Sequence, residues 1–159
     1  MVTRSSYGLS STGREQGLGT GNYVKMNIII NADDLGMSQE VNDATFGLMD
    51  QGLVTSASII ANSPMVEEAC AKIASYPQCS FGIHLNVTEF RPTVSTDSLS
   101  PLLDTNGEFV SERLWGISVD SKLTTGIFRE FSAQIERLAG LGVEISHIDS
   151  HHHVHTLPR

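Results

Sequence analysis

Cysteine is scarce in this chain. Only Cys70 and Cys79 occur among the 159 residues. Two thiols lack the dense, even pattern of a disulfide scaffold, and they read as ordinary thiols of a reducing compartment. Basic residues are few as well: ten Lys and Arg stand against 18 Asp and Glu, for a formal net charge of −8. Nucleic acid and anionic membrane both need a basic surface, so neither is expected as a partner. A small neutral or cationic ligand, or a metal ion, stays compatible with this charge. No apolar run reaches the ~18 residues of a membrane span. No apolar h-region of a secretory signal opens the chain. The expected location is the cytoplasm.

What is present describes a globular protein. Hydrophobic residues make up 40% and charged residues 18%, and the length suits one domain with a real core. Residues 1–25 stand apart. They are rich in Ser and Gly, carry Arg4 and Arg14, and show no apolar periodicity. They read as a disordered tail, of vector origin or from a start codon upstream of the natural one. Met26 is a natural start, and the domain is expected over residues 26–159.

From there the chain alternates. Asn27–Ala32 reads as a buried parallel strand, apolar on both faces. Asp33-Asp34-Leu35-Gly36 is then a turn, with Ser38 as N-cap of a helix whose inner face is Val41, Ala44, Thr45, Leu48 and Met49 and which ends at Gly52. Leu53–Ala61 reads as a second strand. A second helix starts at Ser63-Pro64, buries Val66, Ala69, Cys70 and Ile73, and stops before Pro77. Ser80–Val87 reads as a third strand containing His84. Thr88 to about Phe109 is irregular, and a loop that long points weakly to a segment covering a substrate. Glu112–Val119 is ambiguous. Thr124–Ala139 is the best helix, with Ile127, Phe131, Ile135 and Leu138 on one face. Val143–Ile148 is a fourth strand. Such alternation implies a parallel α/β sheet with right-handed crossovers, whose sites sit at the carboxyl ends of the strands.

Three stretches could carry chemistry there. Asp33 and Asp34 are adjacent, so on an extended segment they point to opposite sides; an acidic turn before a helix is the plainer reading. His84 lies in an apolar run, where a histidine is more often a satisfied core residue than a ligand. The densest signal is His147-Ile-Asp-Ser-His-His-His-Val-His155, with five of the six histidines. In extended backbone His147, Asp149, His151, His153 and His155 would share one face. A purification tag would be an unbroken terminal run, whereas this one is interrupted and grows out of a strand. Together, two acids and several histidines at three strand ends suit one divalent ion. An Asp and two His leave positions open for water and substrate. A further carboxylate nearby would be the general base.

Asn31-Ala-Asp-Asp-Leu-Gly36, Gly82-Ile-His-Leu-Asn86 and the histidine stretch resemble the YdjC-like carbohydrate deacetylases, a family that includes the chitooligosaccharide deacetylases. Val54-Thr55-Ser56 and Asn106-Gly107-Glu108-Phe109 are similar too. The resemblance runs from Met26 to Arg159. It implies a (β/α) barrel of the glycoside hydrolase/deacetylase type. Full barrels run to on the order of 250 residues, so only the first half is expected here, about four βα units. Two unpaired sheet edges would then invite pairing with another chain, including a homo-oligomer. The resemblance also implies a divalent metal ion, Mg²⁺ or Zn²⁺, held by Asp34, His84 and His151, with Asp33 as the general base and Asp149 behind the ligands. The expected activity is removal of acetyl groups from N-acetylated sugars, and the expected partner is such a sugar. The alternatives are another metal-dependent amide or phosphoester hydrolase, or a truncated product that binds metal or sugar without turnover.

Overall fold

The computed structural model describes residues 28–95 and 97–156. The tail expected over residues 1–25, and the start at Met26, lie outside them. The order of elements is β1 (Asn31–Leu35), α1 (Gln39–Asp50), β2 (Ser56–Ile59), α2 (Val66–Ile73), β3 (Ser80–Leu85), a 3-10 turn (Ser100–Leu102), α3 (Ser111–Gly116), α4 (Ser121–Gly140), β4 (Ile145–Ser150) and a second 3-10 segment (His151–Thr156). The four strands form one parallel sheet in the order β1-β2-β3-β4. The expected α/β alternation is therefore present. Among the described residues no helix is long and apolar enough to cross a membrane.

The sheet has two unlike faces. Ala32, Leu35, Ala57, Ile59, Phe81, Ile83 and Ile145 turn toward a core completed by Phe46 and Met49 of α1, Val66, Ala69 and Cys70 of α2, and Leu138 of α4. The other face carries Asn31, Asp33, Ser58, Gly82, His84, His147 and Asp149, as side-chain alternation and strand register require. The expectation that the first strand is apolar on both faces is corrected: one of its faces is polar. Burial of the apolar face drives the sheet together, and the polar face is left for chemistry.

β2 and β3 fall within their expected ranges, whereas β1 and β4 lie downstream of where hydrophobicity places them. Ile28, Ile29 and Ile30 precede β1 and are 70%, 77% and 50% exposed, whereas Asp33 and Asp34 lie inside it. Pairing defines a strand, and the parallel ladder with β2 begins at Asn31, opposite Ser56, with the Ile30 carbonyl accepting from Thr55 and Ser56 N–H just before it. Both β1 and β4 carry a bulge, opposite Ala57–Ile59 and Phe81–Ile83 respectively. An extra residue on one strand bends it and re-aims its side chains.

The helices correct two expected faces. α1 buries Asn42, Thr45, Phe46 and Met49, while Leu48 is 39% exposed. Asn42 turns inward because its side chain accepts from Gly36 N–H and donates to the Met65 carbonyl. α4 begins one turn earlier than the periodicity suggests, capped by Asp120, whose Oδ1 accepts from Leu123 N–H. Its fully buried stripe includes Glu130 and Gln134, and the expected Ile127, Phe131 and Ile135 flank it, partly buried. Glu130 accepts from Thr93 N–H and Val94 N–H. Gln134 pairs with both backbone groups of Asn86, accepting from its N–H and donating to its carbonyl. α2 buries the expected Val66, Ala69 and Cys70 but starts at Val66 rather than at Ser63-Pro64.

The stretch from Thr88 to Phe109 is packed rather than loose. Val87, Leu99, Leu102 and Phe109 form a second core with Leu114 of α3 and Leu123 of α4. Leu103 and Phe109 form an isolated antiparallel bridge. Asn86, the residue that leads into it, is held on both backbone groups by Gln134. Gln134→Leu leaves the buried Asn86 N–H and C=O unpaired, at about 1–3 kcal/mol for each group. Urea unfolding should therefore show a lower midpoint with an unchanged m-value.

Candidate metal centre

Asp34, His84 and His151 arrive from three strands. Asp34 sits at the β1 bulge with φ of 65°, a left-handed conformation unusual for a side-chain-bearing residue. His84 stands on β3, buried. His151 is the first residue after β4, also buried. One ligand atom from each lies within 4.8 Å of the others. Asp34 Oδ1 is 2.8 Å from His151 Nδ1 and 3.3 Å from His84 Nε2. Despite these distances, Asp34 Oδ1 is buried and has no hydrogen-bond partner of proper direction. Two donors held about 2.1 Å from one ion are separated by about 3.0 Å in octahedral and 3.4 Å in tetrahedral coordination. The three residues fit a divalent ion on that count, and an unsatisfied buried oxygen is what a shared cation would relieve.

His84 is oriented from behind. Asp149 Oδ1 accepts from His84 Nδ1 at 2.6 Å, which leaves Nε2 facing Asp34. Asp149 Oδ2 accepts from the Ser58 hydroxyl at 2.5 Å. Ser58 also accepts from Asn31 Nδ2 and lies 3.1 Å from His147 Nε2. Asp33 is exposed on the polar face, and its Oδ1 accepts from Asn31 Nδ2 at 2.8 Å. Two other groups have ligand atoms as close together: Asp33, His84 and Asp149, and Glu89, His151 and His152. The first is weaker as an ion site because both Asp149 oxygens are already engaged. Asp33, Asp34, His84, Ser150 and His151–His153 line a cleft of about 290 Å³.

Electrostatics follow the contacts. His151 first, then His84, hold the Asp34 carboxyl well below the usual carboxylate range, against the opposing effect of burial. Burial pulls the His84 pKa down, but the Asp34 and Asp149 carboxylates beside its two nitrogens outweigh it and the net shift is upward. A larger cleft of about 700 Å³ opens far from these residues, between α2 and the starts of β3 and β4. Both cysteines line it. Burial pushes the Cys70 thiol up to about 11, so it is no nucleophile.

The residues named from sequence are thus placed as follows. Asp34, His84 and His151 converge, Asp33 lies beside them, and Asp149 stands behind His84. The expected shared face of the histidine stretch holds only as far as Asp149. After Ser150 the backbone leaves the extended state, and His152 and His153 have φ of 51° and 54°, so alternation ends. His147 lies elsewhere on the polar face, its ring against Gly82. His155 Nδ1 meets the Ser150 hydroxyl. Asn31, Ser58 and Glu89 escaped sequence reasoning. A serine in a strand carries no spacing signal, Asn31 opens the first motif with no role assigned to it, and Glu89 lies three residues beyond the second motif.

The sequence model of the YdjC-like protein family matches residues 27–159. The chain belongs to the YdjC-like family. Similar proteins named carbohydrate deacetylase include one from Geobacillus stearothermophilus, 39% identical over 130 residues, covering 82% of this chain and 51% of that protein. Another, from Vibrio cholerae serotype O1, is 34% identical over 134 residues, covering 84% and 52%. The chain spans about half the length of the curated YdjC-like relatives it matches. A crystal structure of an Enterococcus faecalis V583 protein, named for cellobiose-phosphate cleavage, superposes with a TM-score of 0.71 at 31% identity, over 80% of this chain and 49% of that one.

Two outcomes are expected. A Cβ on Gly82 would overlap the His147 imidazole, so Gly82→Ala should displace that ring and disturb Ser58, at a cost of about 1–3 kcal/mol in thermal unfolding. In chelator, the raised His84 pKa contributes stability that is full below the ordinary histidine value of about 6.5 and is lost as pH rises through the folded value. Asp34 acts oppositely: its contribution is present above the ordinary 3.8 and is lost as pH falls through its depressed value. Urea midpoints measured upward from pH 5.5 should fall for the parent chain and stay flatter for His84→Gln.

Proposed function

We propose that this chain provides the ion-binding part of a carbohydrate deacetylase built on a (β/α) barrel. The observation that supports it best is the convergence of Asp34 Oδ1, His84 Nε2 and His151 Nδ1, with Asp33 alongside. Asp34, His84 and His151 are the ligands in this reading. Two imidazoles with one carboxylate suit Zn²⁺ better than Mg²⁺, which favours oxygen donors. A bound divalent ion supplies Lewis acidity, lowering the pKa of water and polarising a carbonyl.

The protein groups do the rest. Asp33, oriented by Asn31, takes a proton from the water that attacks the acetyl carbon of an N-acetylated sugar. Asp149 keeps His84 in the tautomer whose Nε2 lone pair faces the ion, and Ser58 holds Asp149 in turn. Breaking the amide C–N bond, with the proton taken from water passed on to the leaving nitrogen, releases acetate and a free sugar amine. The names of the relatives support an acetylated carbohydrate, and a chitooligosaccharide fits the chemistry. A second reading, hydrolysis of a phosphorylated disaccharide at the same ion, has support from the name of the Enterococcus protein.

Acetate release from N-acetylglucosamine oligomers, assayed with and without chelator, tests the reading. Chelation should abolish release and added Zn²⁺ restore it. Asp33→Asn should lower turnover by about 10²-fold or more while ion binding stays intact. Asp34→Ala and His84→Ala should lose the ion itself by calorimetry. Full ion affinity in both variants would overturn the ligand assignment, and cleavage of cellobiose phosphate with no acetate released from the oligomers would favour the second reading.

A further inference from the structure

The two histidines of the centre are presented in opposite senses. His84 uses Nε2 toward Asp34, and its far nitrogen, Nδ1, is held by Asp149 at 2.6 Å. His151 uses Nδ1 toward Asp34, and its far nitrogen is Nε2. That Nε2 is buried and has no hydrogen-bond partner, in a residue only 5% exposed. The acid facing it is Glu89, whose Oε2 lies 3.5 Å away. This is just beyond a good hydrogen bond and within a small side-chain adjustment of one. A buried N–H left without an acceptor is destabilising, so the adjustment is favoured once Nε2 carries the proton.

Glu89 is held for this task. Its N–H donates to Asn86 Oδ1, and its carbonyl accepts from Asn86 Nδ2 and Asn62 Nδ2. Both asparagines are buried. The backbone of Glu89 is therefore fixed just beyond β3, while its half-buried carboxylate stays free to turn.

We propose that Glu89 is the positioning residue of His151, as Asp149 is of His84. By accepting from Nε2–H it fixes the tautomer whose Nδ1 lone pair faces Asp34 and His84. The proposal rests on the ion-binding reading above. The competing arrangement is a second ion held by Glu89, His151 and His152. Proton bookkeeping disfavours it alongside the first. A neutral imidazole offers one lone-pair nitrogen, and both His151 nitrogens could act as ligands together only if the ring lost its last N–H proton. His152 is exposed, and its Nδ1 meets the Thr88 hydroxyl.

The test is Zn²⁺ titration by calorimetry on the full chain and its Glu89→Ala, Glu89→Gln and Asp34→Ala variants, with proton NMR of the ring N–H signals. The parent should bind one ion and show a slowly exchanging His151 Nε2–H. Glu89→Ala should weaken binding 10–100-fold, as loss of an outer carboxylate partner does, and should lose that N–H signal to solvent exchange. Glu89→Gln, whose amide oxygen still accepts, should lose less and keep the signal. Unchanged affinity and an unchanged signal in Glu89→Ala overturn the proposal. So does a stoichiometry of two in the parent that falls to one in Glu89→Ala, because Glu89 is then a ligand. Asp34→Ala separates the two levels. Loss of binding there with an unaffected Glu89→Ala sinks only the Glu89 role, whereas retained binding there sinks the ion site on which it rests.

Discussion

Asp34 Oδ1 is the point on which three strands converge. A carboxylate oxygen that is buried, close to two imidazole nitrogens and properly bonded to neither is not a resting arrangement for a folded protein. The β1 bulge creates it. With strict alternation Asp34 would lie on the apolar side with Ala32, its charge facing the core, and Leu35 would lie on the polar side. The left-handed backbone at Asp34 is the local cost of turning that carboxylate toward β3 and β4. Strain at such a position persists only where the surroundings over-determine it, and here Leu35 anchors the following residue in the core at 0% exposure.

The sheet is what makes a polar cluster of this density tolerable. Its outer face buries a continuous apolar layer against α1, α2 and α4, so the inner face need not contribute hydrophobic stabilisation. On that inner face the polar groups satisfy one another in a chain: Asn31 to Ser58, Ser58 to Asp149, Asp149 to His84. Each link crosses from one strand to another, so register and side-chain orientation are coupled. Gly82 belongs to the same design, because the His147 ring occupies the space a side chain there would need. A chain of this kind rigidifies a site when every member is satisfied. It also sets histidine tautomers, which decide the direction in which lone pairs point.

Much of this was legible beforehand. Alternating strands and helices, the parallel sheet, the inner face of α2 and the gathering of Asp34, His84 and His151 at the carboxyl ends of their strands all follow from pattern and motif. Strand ends did not. Apolar character marked Ile28–Ile30, but a strand exists where a neighbour supplies a continuous ladder, and the ladder with β2 starts at Asn31. The inner stripes of α1 and α4 were misread because Asn42, Glu130 and Gln134 are buried polar residues whose partners lie on other elements. Periodicity counts only apolar side chains and cannot register them. The histidine stretch was read as extended throughout, whereas its backbone changes after Ser150.

The sequence by itself determined the class of fold, the order of its elements and the inventory of donors: one carboxylate and two imidazoles, with a second carboxylate adjacent. Only the tertiary structure decided which nitrogen of each imidazole faces Asp34, that a bulge aims Asp34, and that Ser58 stands behind Asp149 and Glu89 faces His151. The reason is physical. Donor chemistry is a property of residue type, which a sequence states outright. Orientation is set by neighbours across space, such as Asp149 for His84 and Ser58 for Asp149, and these become neighbours only when the sheet is formed.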